Sequence, residues 1–147
     1  MTLRVLRVGI VAMKREACGE WAHESLLPVA VLPDAPDLAP WSALPSGEGS
    51  LYYVGEAELE LHNAATAHYR DNLRSSAPSL WIAMEPEGAR WRVRCVTADP
   101  YEGEALVETA ADLVEAVAMP VAIGEEVARF VETYHVERIF VKRERTR

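Results

Sequence analysis

The chain predicts a single α+β domain, a mainly antiparallel sheet with two to three helices. Three observations carry that prediction. Apolar residues recur at period two in several short runs. Apolar stripes at helical spacing occupy two other segments. The strand-like runs do not alternate strictly with helices, as a doubly wound parallel sheet would require. A length of 147 residues suits one domain with its own core. We place that domain at residues 1–136, with an apolar hook and basic tail over 137–147.

The first strand is expected over residues 3–13, where Leu6, Val8, Ile10 and Ala12 share one face. The other face holds Arg7 but also Val11 and Met13, so partial cover is expected there. Residues 14–25 are polar and read as a loop or short helix around Trp21. A second strand follows at 26–32. Its Pro28 cannot donate to a ladder, which predicts an edge strand. Residues 33–49 hold four prolines, two glycines and one tryptophan, a loop composition.

Residues 50–54 form a short strand that Gly55 interrupts as a hairpin turn or a bulge. From Glu56 to His62 the pattern alternates, with Ala57, Leu59 and Leu61 inward. Asn63 then suits a helix cap. Ala65, Tyr69 and Leu73 line one stripe of the helix, which Ser75, Ser76 and Pro78 end. Residues 80–84 and 91–98 pair as an antiparallel hairpin across the turn at 85–89. Asp99 and Pro100 mark a helix start, and Gly103 weakens the helix that follows to about Glu108. A short strand is expected at 113–118. Pro120 opens the clearest helix, with Ile123, Val127, Phe130, Val131 and Tyr134 on one stripe. Residues 139–141 read as a last strand or an apolar hook.

Composition excludes several functions. A net charge of -8 repels a phosphate backbone, so nucleic-acid binding is not expected. Apolar runs fall short of a membrane span, and the N-terminus lacks the pattern of a secretory signal. Two cysteines outside any C-x-x-C pair, Cys18 and Cys95, read as reduced thiols of a cytoplasmic protein. No histidine or cysteine spacing matches a metal site, and no glycine-rich phosphate loop is present, so no metal and no cofactor is expected.

The polar residues gather between Ser50 and Met84. His62, Thr66, Tyr69, Arg70 and Asn72 are the candidate partner- or ligand-binding residues: Arg70 offers a bidentate fork for an anionic group, and the others offer hydrogen bonds. His68 and Asp71 fall at i, i+3 on one helix. They would be the base and its orienting carboxylate if the protein is a small enzyme. A solvated face with local pairs explains the same spacing, and no nucleophile motif accompanies it. Trp21, Trp41, Tyr52, Tyr53, Trp81 and Trp91 supply anchors for a protein interface or simply fill the core. The basic end, Lys142, Arg143, Arg145 and Arg147, could meet an acidic partner or act as a solubilising tail.

The string ELHNAATAHYRDNLRSSAPSLWIAM, with PVAVLP and APW before it and VTADPYEGEA and VEAVAMP after it, resembles a bacterial family of unknown function. The resemblance covers nearly the whole chain. It implies an association with the gene neighbourhoods of molybdenum enzymes, particularly formate dehydrogenases and their maturation factors. Some members carry a label for molybdopterin-guanine dinucleotide synthesis. The nucleotidyltransferases behind that label have a glycine-rich loop near the N-terminus and a larger α/β fold, and this chain has neither. The resulting expectation is a non-catalytic accessory or assembly protein that docks on a protein partner. A small enzyme built on His68 and Asp71, or a homo-oligomer pairing through the Pro28 edge strand, are the alternatives.

Overall fold

The computed structural model describes residues 2–15, 25–45, 50–109 and 113–135. The expectations for Cys18, the Trp21 segment, the Gly47–Gly49 loop, the apolar hook and the basic tail lie outside them. Among the described residues, seven strands build one sheet: β1 (Thr2–Arg15), β2 (Ser25–Leu32), β3 (Ser42–Leu44), β4 (Ser50–His62), β5 (Ser79–Glu87), β6 (Arg90–Thr97) and β7 (Leu113–Ala118). A 3-10 turn at Asn63–Ala65 leads into α1 (Thr66–Arg74); α2 (Pro100–Thr109) and α3 (Val121–Tyr134) complete the fold. The strand order is β2-β1-β4-β6-β5-β7, with β3 added beside β4. Since β7 also comes back against β2, the sheet curls almost into a barrel.

The α+β class holds, but the sheet is mixed rather than purely antiparallel. β4 and β6 run parallel, and their register has one partner pair, Leu59–Val96. Every other pairing among the described residues is antiparallel. The parallel contact arises because α1 and β5 intervene between β4 and β6, so β6 returns in the direction of β4.

Bulges shape the long strands. β4 runs unbroken through Gly55, where the partner of Ile10 is Gly55 and that of Val11 is Tyr53. Val54 is therefore an extra residue, and Gly55 sits at φ +151°, where a side chain would be strained. In β2, Val29 is skipped next to Pro28. The proline thus falls beside a bulge on the strand at the end of the sheet, as its missing donor demands. β3 was not expected: three residues of the proline-rich segment reach extended geometry and pair with Leu51–Tyr53.

One apolar core fills the curl. Val8, Ile10, Ala12, Leu59, Leu61, Leu80, Ile82 and Met84 from the sheet meet Tyr69 of α1 and Ile123, Val127, Phe130 and Val131 of α3. The outer face of β1 is covered as its composition suggests. Val11 and Tyr53 are buried there, and a Cβ on Gly9 would fall against Tyr53 and Pro36. At the β5–β6 hairpin, Gly88 takes φ +61° as the first residue of a two-residue turn.

Candidate functional site

The polar residues of α1 divide into those that hold the fold and those that face outward. Asn72 is 3 % exposed. Its Nδ2 donates to the carbonyls of Ser79 (2.7 Å) and Ala98 (2.9 Å), and its Oδ1 accepts from the Ser79 N–H (3.0 Å). One side chain thereby fastens α1 to the start of β5 and the end of β6. The Tyr69 hydroxyl lies inside and accepts the His62 N–H at 3.0 Å. Burial pushes the Tyr69 phenol above its usual range, and nearby Asp99, Glu102 and Glu60 add to the rise, while the His62 hydrogen bond opposes it. Thr66 is also buried, with its Oγ1 3.0 Å from His135 Nδ1 at the end of α3. His62 and Arg70 keep part of their surface outward. The Asn63 side chain caps neither the 3-10 turn nor α1; the 3-10 turn is entered directly from His62.

The carboxylate that meets His68 is Asp99, with Nδ1 and Oδ2 3.1 Å apart; the sequence spacing points to Asp71 instead. Asp99 stands at the N-terminus of α2, where its Oδ1 accepts the N–H groups of Tyr101 (3.0 Å) and Glu102 (3.4 Å). It caps the helix with one oxygen and holds the imidazole with the other. The Tyr101 ring lies 4.3 Å from the His68 ring, centroid to centroid. These contacts tie α1 to α2.

Between the two helices opens a cleft of about 380 Å³. Trp81 and Tyr101 give it aromatic surface, Asp71 and Glu104 give it carboxylates, and Ser75 lies near its edge. Asp71, Glu104 and Tyr101 are exposed, so the carboxylates are solvated and available. Gly103 explains how α2 comes so close to the sheet: a Cβ there would lie 2.3 Å from Trp81 Cγ. A cation is favoured in such a cleft, by the carboxylates at long range and by the aromatic faces at contact. An anion is disfavoured.

A sequence profile for a protein family of unknown function (DUF3305) matches residues 7–145. The chain belongs to that family. Neither a curated protein nor a solved structure matches it.

Residue spacing brought only part of this family member's cleft into view. Asn72 and Asp71 were named from the helix, but Trp81, Tyr101 and Glu104 were not joined to them. The available signal was Gly103, an isolated glycine in a helical pattern that usually has a packing reason. Cys95 is half-buried on β6, and burial pushes its thiol up, which suppresses the reactive thiolate. Among the described residues, no three His, Cys, Asp or Glu side chains gather as a metal site would require. No described helix is long and apolar enough to cross a membrane.

Proposed function

We propose that the protein is a non-catalytic accessory or assembly factor of the reducing cytoplasm, acting by docking on another protein through the α1–α2 cleft. The observation that supports this is how the polar residues divide. Asn72, Tyr69 and Thr66 spend their hydrogen bonds inside the fold, and the outward groups around the cleft are aromatic rings and carboxylates. That combination suits a lysine or arginine presented by a partner, with the indole and phenol for its stem and Asp71 and Glu104 for its charge. Arg70 and His62 keep part of their surface outward but do not line the cleft, so the basic group is met by the cleft residues alone. The partner class that the sequence resemblance suggests is a molybdenum-dependent oxidoreductase or its maturation factors. Tagged protein recovered from its native host, grown with molybdate and formate, tests this. Co-elution of a molybdoenzyme subunit or maturation factor is the expected result. Recovery of no specific protein would contradict the docking reading.

A specific contact favours one second reading, a small enzyme. The His68–Asp99 pair has the geometry of a base held by a carboxylate, and the imidazole is 40 % exposed beside the cleft. On this reading the partner of the base is Asp99, not Asp71. Turnover of a substrate identified in a ligand screen, lost in His68→Ala and retained in Asp71→Ala, would establish it. Equal turnover in both variants would refute it.

A further inference from the structure

Among the described residues, the line where β4 and β6 meet is a seam closed at one end only. They pair at Leu59–Val96, while β3 covers β4 farther back at Leu51–Tyr53. Between these points β4 passes through Val54, Gly55 and Glu56, and β6 through residues 90–93, with a groove of about 410 Å³ separating them. Trp41 and Trp91 line the groove, both half-buried and both packed on the edge of the core.

The β5–β6 hairpin determines which backbone groups face this gap. A two-residue turn makes its flanking residues, Glu87 and Arg90, a hydrogen-bonded pair. Pairs alternate along an antiparallel ladder, so Arg92 bonds Glu85, whereas Trp91 and Val93 turn their N–H and C=O groups to the far edge. Pro86 stands opposite Trp91, where β6 needs no donor from it. The far edge is the one that faces the seam. Arg90 also lines the groove, is exposed and makes no ion pair among the described residues. The other charged residues that line the groove are engaged: Glu56 with Arg7, and Arg92 with Glu85 and, at 3.7 Å, with Glu87.

We propose that this seam takes an extended peptide segment of a partner protein by strand addition to the free edge of β6. The peptide's backbone bonds the Trp91 and Val93 peptide groups. Its apolar side chains lie against the two indoles, and an acidic side chain reaches Arg90. The acidic residue is assigned from charge: among the described residues, Arg90 is the charged residue lining the groove that has no ion pair, Glu87 being held by Arg92. This surface is separate from the α1–α2 cleft, so its occupancy stands or falls independently of the docking reading.

The test uses the full chain and a displayed library of random decapeptides. Selected sequences should share an acidic residue beside alternating apolar positions. They should quench tryptophan fluorescence and shift the backbone amide resonances of Trp91 and Val93. Arg90→Glu should weaken the best peptide about tenfold with an unchanged melting temperature, since Arg90 is exposed. N-methylation of alternate peptide amides should abolish binding. The proposal is overturned if no sequence is enriched, if binders shift other amides instead, or if their affinity survives both Arg90→Glu and N-methylation at every position.

Discussion

At the residue scale, Asn72 decides more than any side chain near it. Replacing it with Ala leaves the Ser79 N–H and the Ser79 and Ala98 carbonyls without their partner in a covered place. Each such loss costs about 1–3 kcal/mol, with partial relief by water. Asn72→Ala should therefore destabilise the domain by roughly 3 kcal/mol in denaturant unfolding. A loss below about 0.5 kcal/mol would show that the three groups find other partners. Tyr69 adds a pH dependence. Burial raises its phenol in the folded protein above the ordinary value of 10.0, so the folded state binds that proton more tightly than the unfolded state does. Its contribution is complete below that pH and is lost as pH rises through the folded value. Stability should fall above about pH 10, and by less in Tyr69→Phe than in the native chain. An equal slope in both would assign the alkaline loss to other groups. Helical spacing placed Tyr69 on the inward stripe with Ala65 and Leu73, and the core bears that out; it gave no sign that Asn72 also points inward, nor of the partners that either residue meets there.

At the element scale, α2 depends on Asp99 and Gly103, each of which sequence rules explain only in part. Asp99 was legible as a cap, because Asp before Pro and an early Glu is a start signal of α-helices. Its second contact, to His68, was not legible, since it depends on the β5–β6 hairpin bringing residue 99 beside α1. Asp99→Ala should lose about 1 kcal/mol from the cap. It should also free the His68 ring, seen as a change in its imidazole resonances. A cap loss with unaltered His68 resonances would show that the contact does not persist in solution. Gly103 has the opposite character: its helix penalty was legible, and its reason was not. Gly103→Ala should gain helix propensity yet lose stability, by about 1–3 kcal/mol, because the added methyl meets the Trp81 ring. A stabilised variant would mean that α2 can move off the sheet without cost. The strands were read well where one face is wet, as at Glu56–His62. The split at Gly55 is a single bulged strand because a bulge absorbs a residue without ending the ladder. β3 escaped notice because prolines masked three residues with no alternation of their own.

At the scale of the whole molecule, local periodicity identifies strands but not their neighbours. The α+β class was legible; the parallel β4–β6 contact and the near closure of the sheet were not. Both follow from how α1 and the hairpin are placed, which is a matter of long-range packing. The closure is uneven. β1 and β4 pair along most of their length, whereas β4 and β6 share one register pair. Native-state hydrogen exchange should therefore find the Trp91 and Val93 amides exchanging far faster than those in the β1–β4 ladder that bond across it. Equal protection in both places would mean that the seam is closed in solution. The candidate site is also a product of this scale. Its aromatic wall comes from β5 and α2, and its carboxylates come from α1 and α2, so no single stretch of sequence displays it.

On the proposed function, the α1–α2 cleft docks a basic group of a protein partner while the buried polar residues of α1 hold the fold. The most direct measurement compares partner capture by the native chain and by Asp71→Lys/Glu104→Lys, quantified by mass spectrometry. Both replaced residues are exposed, so the two proteins should melt at nearly the same temperature. Reversing two charges at the cleft should reduce the captured partner about tenfold or more. Capture of the same proteins in the same amounts by a variant that melts like the native chain would contradict the account.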